Sequence, residues 1–323
     1  MQKNRYEELK TDMKVLGITL VLIFIIIEVL LRFILASPSW PQKEAQRSEN
    51  IILQYELKSN LDIIDKGPII QLDPIRVKTN FNGLREDEEH PYEKPENTFR
   101  IALVGDSITF GMYVEQNQTF GHILETMLNK NSQDINYETL NFGVPGYNTM
   151  QEYEVIKEKV LQYDPDVVII TFVLNDLYEE TSNPLTPLRN IGRHIYSLRL
   201  VYWNILKYSQ RSENVTEPAY KDYFMTDFYL RKTNGILKEK NIIFIVVGPF
   251  CFKSYMCPSD PVSHFSNIAK DAGFHYSNLT NIFDNIENKD LMIPKEGHPN
   301  SLAHRILAEV IYNIMADKGI IAR

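Results

Sequence analysis

Gly105-Asp106-Ser107-Ile108-Thr109-Phe110-Gly111 follows directly on Phe99-Arg100-Ile101-Ala102-Leu103-Val104, and the fold turns on how this junction is read. The first run is short, apolar and rich in branched side chains, the composition of a buried strand. A serine one step past such a strand, beside a glycine, stands at the open end of a sheet. There its hydroxyl can meet a substrate and its backbone N–H can point at an oxyanion. The same residues also read as an ordinary turn into a helix, with Asp106 or Ser107 as the cap. The rest of the chain decides between the two.

From residue 99 onward apolar strands alternate with helices. Residues 119–130 have helical spacing (Phe120, Ile123, Leu124, Met127, Leu128), 135–142 read as a strand, and Gly143-Val144-Pro145-Gly146-Tyr147-Asn148 as a loop. A helix is expected over 150–162, with Tyr153, Val155, Ile156 and Val160 inward. Strands are expected over 167–173, 241–248 and, briefly, 273–276, with a last helix over 302–315. Uniformly apolar strands separated by helices indicate an α/β fold, a parallel sheet covered on both faces. Ligands in such sheets bind beyond the carboxyl ends of the strands. Residues 177–240 exceed what one crossover requires. Helices are expected there over 193–208, with Trp203 on a broad apolar face, and over the aromatic-rich 220–238. They serve either as core and cover or as a lid or wall for a carbohydrate or acyl substrate.

The chain's amino-terminal third is different. Residues 1–14 are polar and carry Lys3, Arg5, Lys10 and Lys14, and residues 15–36 are apolar but for Thr19, Glu28 and Arg32. About twenty apolar residues span the hydrocarbon of a bilayer as a helix. Glu28 and Arg32, four apart, can pair on one face. Basic residues ahead of the span predict a single-pass anchor with a cytoplasmic tail (1–14) and an extracytoplasmic body. A cleaved signal peptide ending near Ala36 and a buried core helix are the competing readings. Residues 37–98 read as a tether that packs on the main domain, which spans 99–320. Pro38, Pro41, Pro68, Pro74, Pro91 and Pro95 punctuate the tether. Short strands are expected over 51–55 and 69–72, a turn over 80–83, and a solvated charge run at Arg85-Glu86-Asp87-Glu88-Glu89-His90.

Composition removes several function classes. The chain has 323 residues, enough for one sizeable domain with appendages, and a formal charge of -8, which gives no ground for nucleic-acid binding. Two cysteines, Cys251 and Cys257, make neither a disulfide scaffold nor a thiolate metal site. Outside the cytoplasm they either close a loop as a disulfide or stay as two thiols. The histidines show no ligand spacing such as His-Glu-x-x-His, so neither a metal nor another cofactor is expected.

Hydrolysing or transferring an ester needs a nucleophile, a base and donors for the oxyanion. Ser107 is the candidate nucleophile. Gly146, in the loop after the second strand, offers an unhindered N–H, and Asn175, after the third, a side-chain amide. His298, just before the last helix, is the candidate base. Asp106 is read as structural, hydrogen-bonding the loop that aims Ser107. Each has a plain reading too: a turn glycine, a capping asparagine, a surface histidine. Three of the four groups fall at strand ends and the fourth before the last helix, which chance explains poorly.

Gly105-Asp106-Ser107, the Gly146 loop, Asn175-Asp176 and His298-Pro299-Asn300 together resemble the SGNH (GDSL-type) hydrolases over residues 99–318. The layout also resembles a membrane-anchored bacterial branch of that family. Its members carry one N-terminal span and a segment like Thr79-Asn80-Phe81-Asn82-Gly83-Leu84-Arg85, and many are associated with extracytoplasmic polysaccharide chemistry. The resemblance implies a three-layer α/β/α sandwich with a flavodoxin-like sheet. It also implies an oxyanion hole of the Ser107 and Gly146 N–H groups with the Asn175 side chain. Two positions depart from the pattern. Val173 stands where the family writes a glycine two residues before the asparagine. Lys295 stands where the acid is written three residues before the histidine. Lys295 cannot hold an imidazole tautomer, so Glu296 is the candidate acid, with a backbone carbonyl or a weakened site as the alternatives. The expected activity is a serine esterase acting on an acylated small molecule or glycan. The same groups would serve an O-acyltransferase of a cell-surface polysaccharide. The Lys295 departure keeps a third reading open, a non-catalytic glycan-binding or assembly subunit.

Overall fold

The computed structural model describes residues 2–34, 44–50, 52–65, 73–130, 132–173, 176, 223–250, 259–284, 286–293 and 297–321. The chain divides into two compact units, residues 1–40 with 179–220, and residues 41–178 with 221–323. In the first unit the described element is the helix α1 (Gln2–Ile34). It begins at Gln2, so the stretch expected as a polar tail is helical. The side chains described in it run from Thr11 to Val29, and Val15, Ile18, Leu22, Ile25 and Val29 are exposed. Among the described residues no helix is long and apolar enough to cross a membrane. Asp12, Lys14 and Glu28 all fall within that stretch of α1.

The second unit opens with two small antiparallel pairs, β1 (Ala45–Arg47) with β2 (Tyr55–Leu57), and β3 (Asp62–Asp65) with β4 (Ile75–Lys78). The strand expected over 51–55 is displaced. Asn50 Oδ1 accepts the N–H groups of Ile52 (2.7 Å) and Leu53 (3.3 Å), and an asparagine that hydrogen-bonds the backbone ahead of it makes a turn. The strand expected over 69–72 lies outside the described residues. The turn over 80–83 is present, with Asn80 Oδ1 accepting from Asn82 N and Leu84 N. The charge run after it is not uniformly solvated: Arg85 is 0% exposed, whereas Asp87, Glu88 and Glu89 face water.

Next come β5 (Thr98–Gly105), the single helical turn α2 (Ser107–Phe110), α3 (Phe120–Lys130), β6 (Asn136–Asn141), α4 (Thr149–Glu158) and β7 (Val167–Thr171). They are followed by α5 (Phe224–Glu239), β8 (Ile243–Val247), α6 (Ser259–Ala272), β9 (His275–Ser277), α7 (Asn288–Leu291) and α8 (Ser301–Asp317). The helix expected over 193–208 lies outside the described residues, and the one expected over 220–238 begins at Phe224. Five strands form one sheet in the order β6-β5-β7-β8-β9, every pair parallel, as the uniformly apolar runs predict.

Alternation along each strand sends side chains to two buried faces. Ile101, Leu103, Val167, Ile169, Ile245 and Val247 join Leu124 and Leu128 of α3 and Leu307 and Ile311 of α8 in one core. Ala102, Val104, Val168, Ile170 and Val246 are equally buried on the other face. There α4 packs on β5, α5 on β8, and the two helices on each other. Arg100, also 0% exposed, ties the amino ends of the strands to the preceding segment: its guanidinium donates to Tyr163 O (2.7 Å), Pro91 O (3.1 Å) and Glu138 Oε2 (2.8 Å). The carboxyl ends are left to the loops that carry Ser107, Gly146 and Asp176.

Candidate active site

Asp106 caps α2, its Oδ1 accepting the N–H of Ile108 at 2.9 Å, which makes Ser107 the first helical residue beyond β5. The Ser107 hydroxyl lies 3.1 Å from His298 Nε2 and 3.5 Å from Asp106 Oδ2. The first distance is a hydrogen bond and the second is marginal, so the imidazole is the hydroxyl's partner. His298 is held from both sides. Its carbonyl accepts the Ile293 N–H (2.8 Å), Asn300 N donates to Leu291 O (2.9 Å), and Asn300 caps α8 through Leu302 N and Ala303 N. The Tyr113 ring stands edge-on to the imidazole at 5.4 Å between centroids.

Burial lowers the proton affinity of His298 below its ordinary value, which favours the neutral imidazole that a general base requires. Its Nδ1 is buried with no hydrogen-bond partner among the described residues. Lys295 and Glu296, the two positions on which the identity of the acid depends, lie outside the described residues. Asn175, Cys251 and Cys257 lie outside them as well.

The loop after β6 continues the ladder onto β5, with Phe142 N donating to Leu103 O (2.9 Å) and Val144 N to Gly105 O (3.0 Å). This lays Gly143 against the α2 turn so closely that a Cβ there would fall 2.3 Å from Phe110 N and 2.7 Å from the Thr109 carbonyl carbon. Gly146 is exposed, and neither its N–H nor that of Ser107 donates to another described residue. Two open donors at the strand ends are what an oxyanion site needs. The Tyr55 hydroxyl, from β2, donates to Pro145 O at 2.8 Å, and Tyr147 OH donates back to Tyr55 O. After β7, Asp176 N donates to Val173 O (3.1 Å) and Asp176 Oδ2 accepts from Val173 N (2.8 Å), closing a turn.

Carboxyl groups lie beneath these loops, and one of them, Glu152, the sequence did not single out. Asp106, Glu152 and Asp176 are all buried. Burial, then the negative charge of neighbouring carboxylates, pushes Glu152 and Asp176 well above the usual carboxylate range. Glu152 sits inside α4, where Tyr153 was expected inward, yet Tyr153 is half-buried and Glu152 is 0% exposed. Among the described residues no cluster of His, Cys, Asp and Glu is arranged to hold a metal ion.

The profile of the GDSL-like Lipase/Acylhydrolase family matches residues 103–306. No curated protein matches the chain in sequence. Solved structures of similar fold include the acetyl xylan esterase AlAXEase (19% identity, TM-score 0.45, 67% of this chain and 99% of that one). The psychrotrophic esterase EstA from Pseudoalteromonas sp. is 17% identical, with a TM-score of 0.45 over 69% and 98% of the two chains. Axe2, an acetyl-xylooligosaccharide esterase from Geobacillus, is 15% identical, with a TM-score of 0.47 over 67% and 93%.

The contact between Gly143 and the backbone of α2 leaves no room for a methyl group. Gly143→Ala is expected to displace the turn and slow the reaction of Ser107 with a fluorophosphonate by about a hundredfold, as measured by labelling kinetics.

Proposed function

The chain belongs to the GDSL-like lipase/acylhydrolase family and is an ester-bond hydrolase, and on that premise we propose that it works through an acyl-enzyme at Ser107. The observation that carries this reading is the 3.1 Å contact between Ser107 Oγ and His298 Nε2, side chains 191 residues apart in sequence. Ser107 Oγ attacks the acyl carbonyl as His298 Nε2 takes its proton. The tetrahedral oxyanion is received by the N–H groups of Ser107 and Gly146, with the Asn175 side chain as the third donor. Collapse expels the alcohol, which leaves with the proton from His298. Water then attacks the acyl-enzyme with His298 again as base, releasing the carboxylic acid and the serine.

The substrate we propose is an acyl ester carried by a glycan outside the cytoplasm. Support comes from the sequence layout: a basic tail, the apolar residues 15–36, and a Pro-punctuated tether ahead of the domain. In α1 the apolar side chains from Val15 to Val29 are exposed. The one described hydroxyl among them, Thr19 Oγ, is occupied by Val15 O at 2.8 Å, which suits a helix meant for lipid.

Three outcomes test this reading. Fluorophosphonate labelling of the protein and hydrolysis of p-nitrophenyl acyl esters are both expected to vanish in Ser107→Ala, with activity down by about a thousandfold or more. Labelling that survives the substitution rejects Ser107 as nucleophile. The acid limb of kcat/KM is expected to inflect below pH 6.5, because burial holds His298 neutral and activity is lost only when it takes a proton. A limb above pH 7 would instead reveal a carboxylate at Nδ1, with Glu296 the residue to substitute. Removing residues 1–36 is expected to move the protein from the carbonate-resistant membrane pellet to the supernatant. Full-length protein already in the supernatant defeats the anchor.

A further inference from the structure

We propose that Arg85 is a positioning residue for the nucleophile: its guanidinium, delivered from the segment ahead of the family-matched residues, holds the carboxyl-terminal carbonyls of the α2 turn and so sets where Ser107 stands against His298. The inference rests on the reading of Ser107 as nucleophile.

α2 is four residues long, one turn, and a helix that short has no stability of its own. Its carbonyls need donors from elsewhere. Ser107 O and Ile108 O are met by Gly111 N, each at 3.1 Å. Thr109 O accepts from Asn141 Nδ2 at 2.8 Å. Phe110 O and Gly111 O both accept from Arg85 Nη1, and Val114 O accepts from Nη2 at 2.6 Å. One side chain therefore serves three carbonyls of the turn and its exit, those of Phe110, Gly111 and Val114.

The residue type matters. Two nitrogens of a rigid plane reach carbonyls at the end of the turn and four residues beyond it, which a point charge on a flexible stem does less well. The plane also lies over the Phe110 ring, 4.4 Å from its centroid. Arg85 is 0% exposed, and among the described residues no carboxylate forms an ion pair with it. Its charge is answered by the carbonyls it donates to and, at longer range, by the carboxylates of Glu86, Glu115, Asp87 and Asp65. Burial brings its proton affinity down only to about 10, so it is charged at neutral pH.

The segment that carries Arg85 is fastened to the same loops. Arg85 N donates to Asn141 O (3.3 Å), Glu86 Oε1 accepts from Asn141 N (2.8 Å), and Gln116 Nε2 donates to Arg85 O (3.0 Å). Asn141 in turn holds Gly143 N through its Oδ1 at 2.9 Å. The guanidinium is thus fixed relative to the end of β6 as well as to α2.

The test compares Arg85→Met and Arg85→Lys with the wild type in the full chain. Fluorophosphonate titration counts competent sites, and ester turnover is then expressed per competent site. A residue that only supports the fold would lower the number of competent sites and the melting temperature but leave turnover per site intact. Positioning predicts that kcat per titrated site falls about a hundredfold in Arg85→Met, and by a smaller factor in Arg85→Lys, with KM little changed. Faster amide exchange over residues 107–114 than in the rest of the sheet is expected alongside it. Turnover per site within about threefold of wild type in both variants overturns the proposal. If Arg85→Met does not fold, Arg85→Lys decides. If neither folds, Arg85 supports the whole domain and the positioning role is rejected. A wild type that takes up no fluorophosphonate overturns the nucleophile reading and this one with it, whereas unchanged variants of a labelled wild type overturn this one alone.

Discussion

A single turn of helix at the end of a buried strand cannot hold its own shape, and the site inherits its geometry from the groups that hold α2. Asp106 closes the amino end, Asn141 and Arg85 the carboxyl end. An unmet buried carbonyl costs roughly 1–3 kcal/mol, and a domain of this kind is stable by only about 5–15 kcal/mol in total. Losing donors to several carbonyls at once would therefore consume much of the margin. The contacts are thus a condition for the turn's existence, and the hydroxyl of Ser107 is a by-product of their placement. The sheet supplies the rest. β5 lies second from the β6 edge, so its carboxyl end is flanked by the β6 loop with Gly146 on one side and the β7 turn with Asp176 on the other.

The electrostatics beneath the turn follow the same economy of placement. Three carboxyl groups, from Asp106, Glu152 and Asp176, are buried close enough to perturb one another. Ionising all of them without solvent is disfavoured, and burial with the neighbouring negative charge raises the proton affinity of Glu152 and Asp176 well above the usual carboxylate range. Burial acts on His298 as well, lowering its proton affinity and favouring the neutral imidazole.

β5, β7 and β8 were legible because each is a short, largely apolar run, a pattern that survives without knowledge of its neighbours, whereas the edge strands β6 (Asn136–Asn141) and β9 (His275–Ser277) are mixed in composition and follow only from the alternation of strand and helix. Ser107 and His298 were legible because the chemistry names their types and the strand ends name their places. Other residues escaped for identifiable reasons. Arg85 opens a run of six charged or titratable residues, and composition reads such a run as solvated; only the carbonyls of α2, distant in sequence, reveal that its first member is buried. Glu152 escaped because helical periodicity ranks apolar residues inward and assigns a carboxylate to the surface. The strand expected over 51–55 was misplaced because that run is apolar, and the bend that Asn50 imposes at Ile52 and Leu53 is not read from composition.

Tyr55 carries a practical consequence. Its hydroxyl rests on Pro145 O, Gln151 Nε2 reaches Leu53 O at 3.0 Å, and Lys159 pairs with Glu56 at 2.8 Å. A boundary drawn at residue 103, where the family profile begins, would cut away the hairpin that steadies the Gly146 loop. It would also cut away the arginine that steadies the serine. A boundary that keeps these contacts therefore lies ahead of β1, and what resembles a leader is a part of the frame.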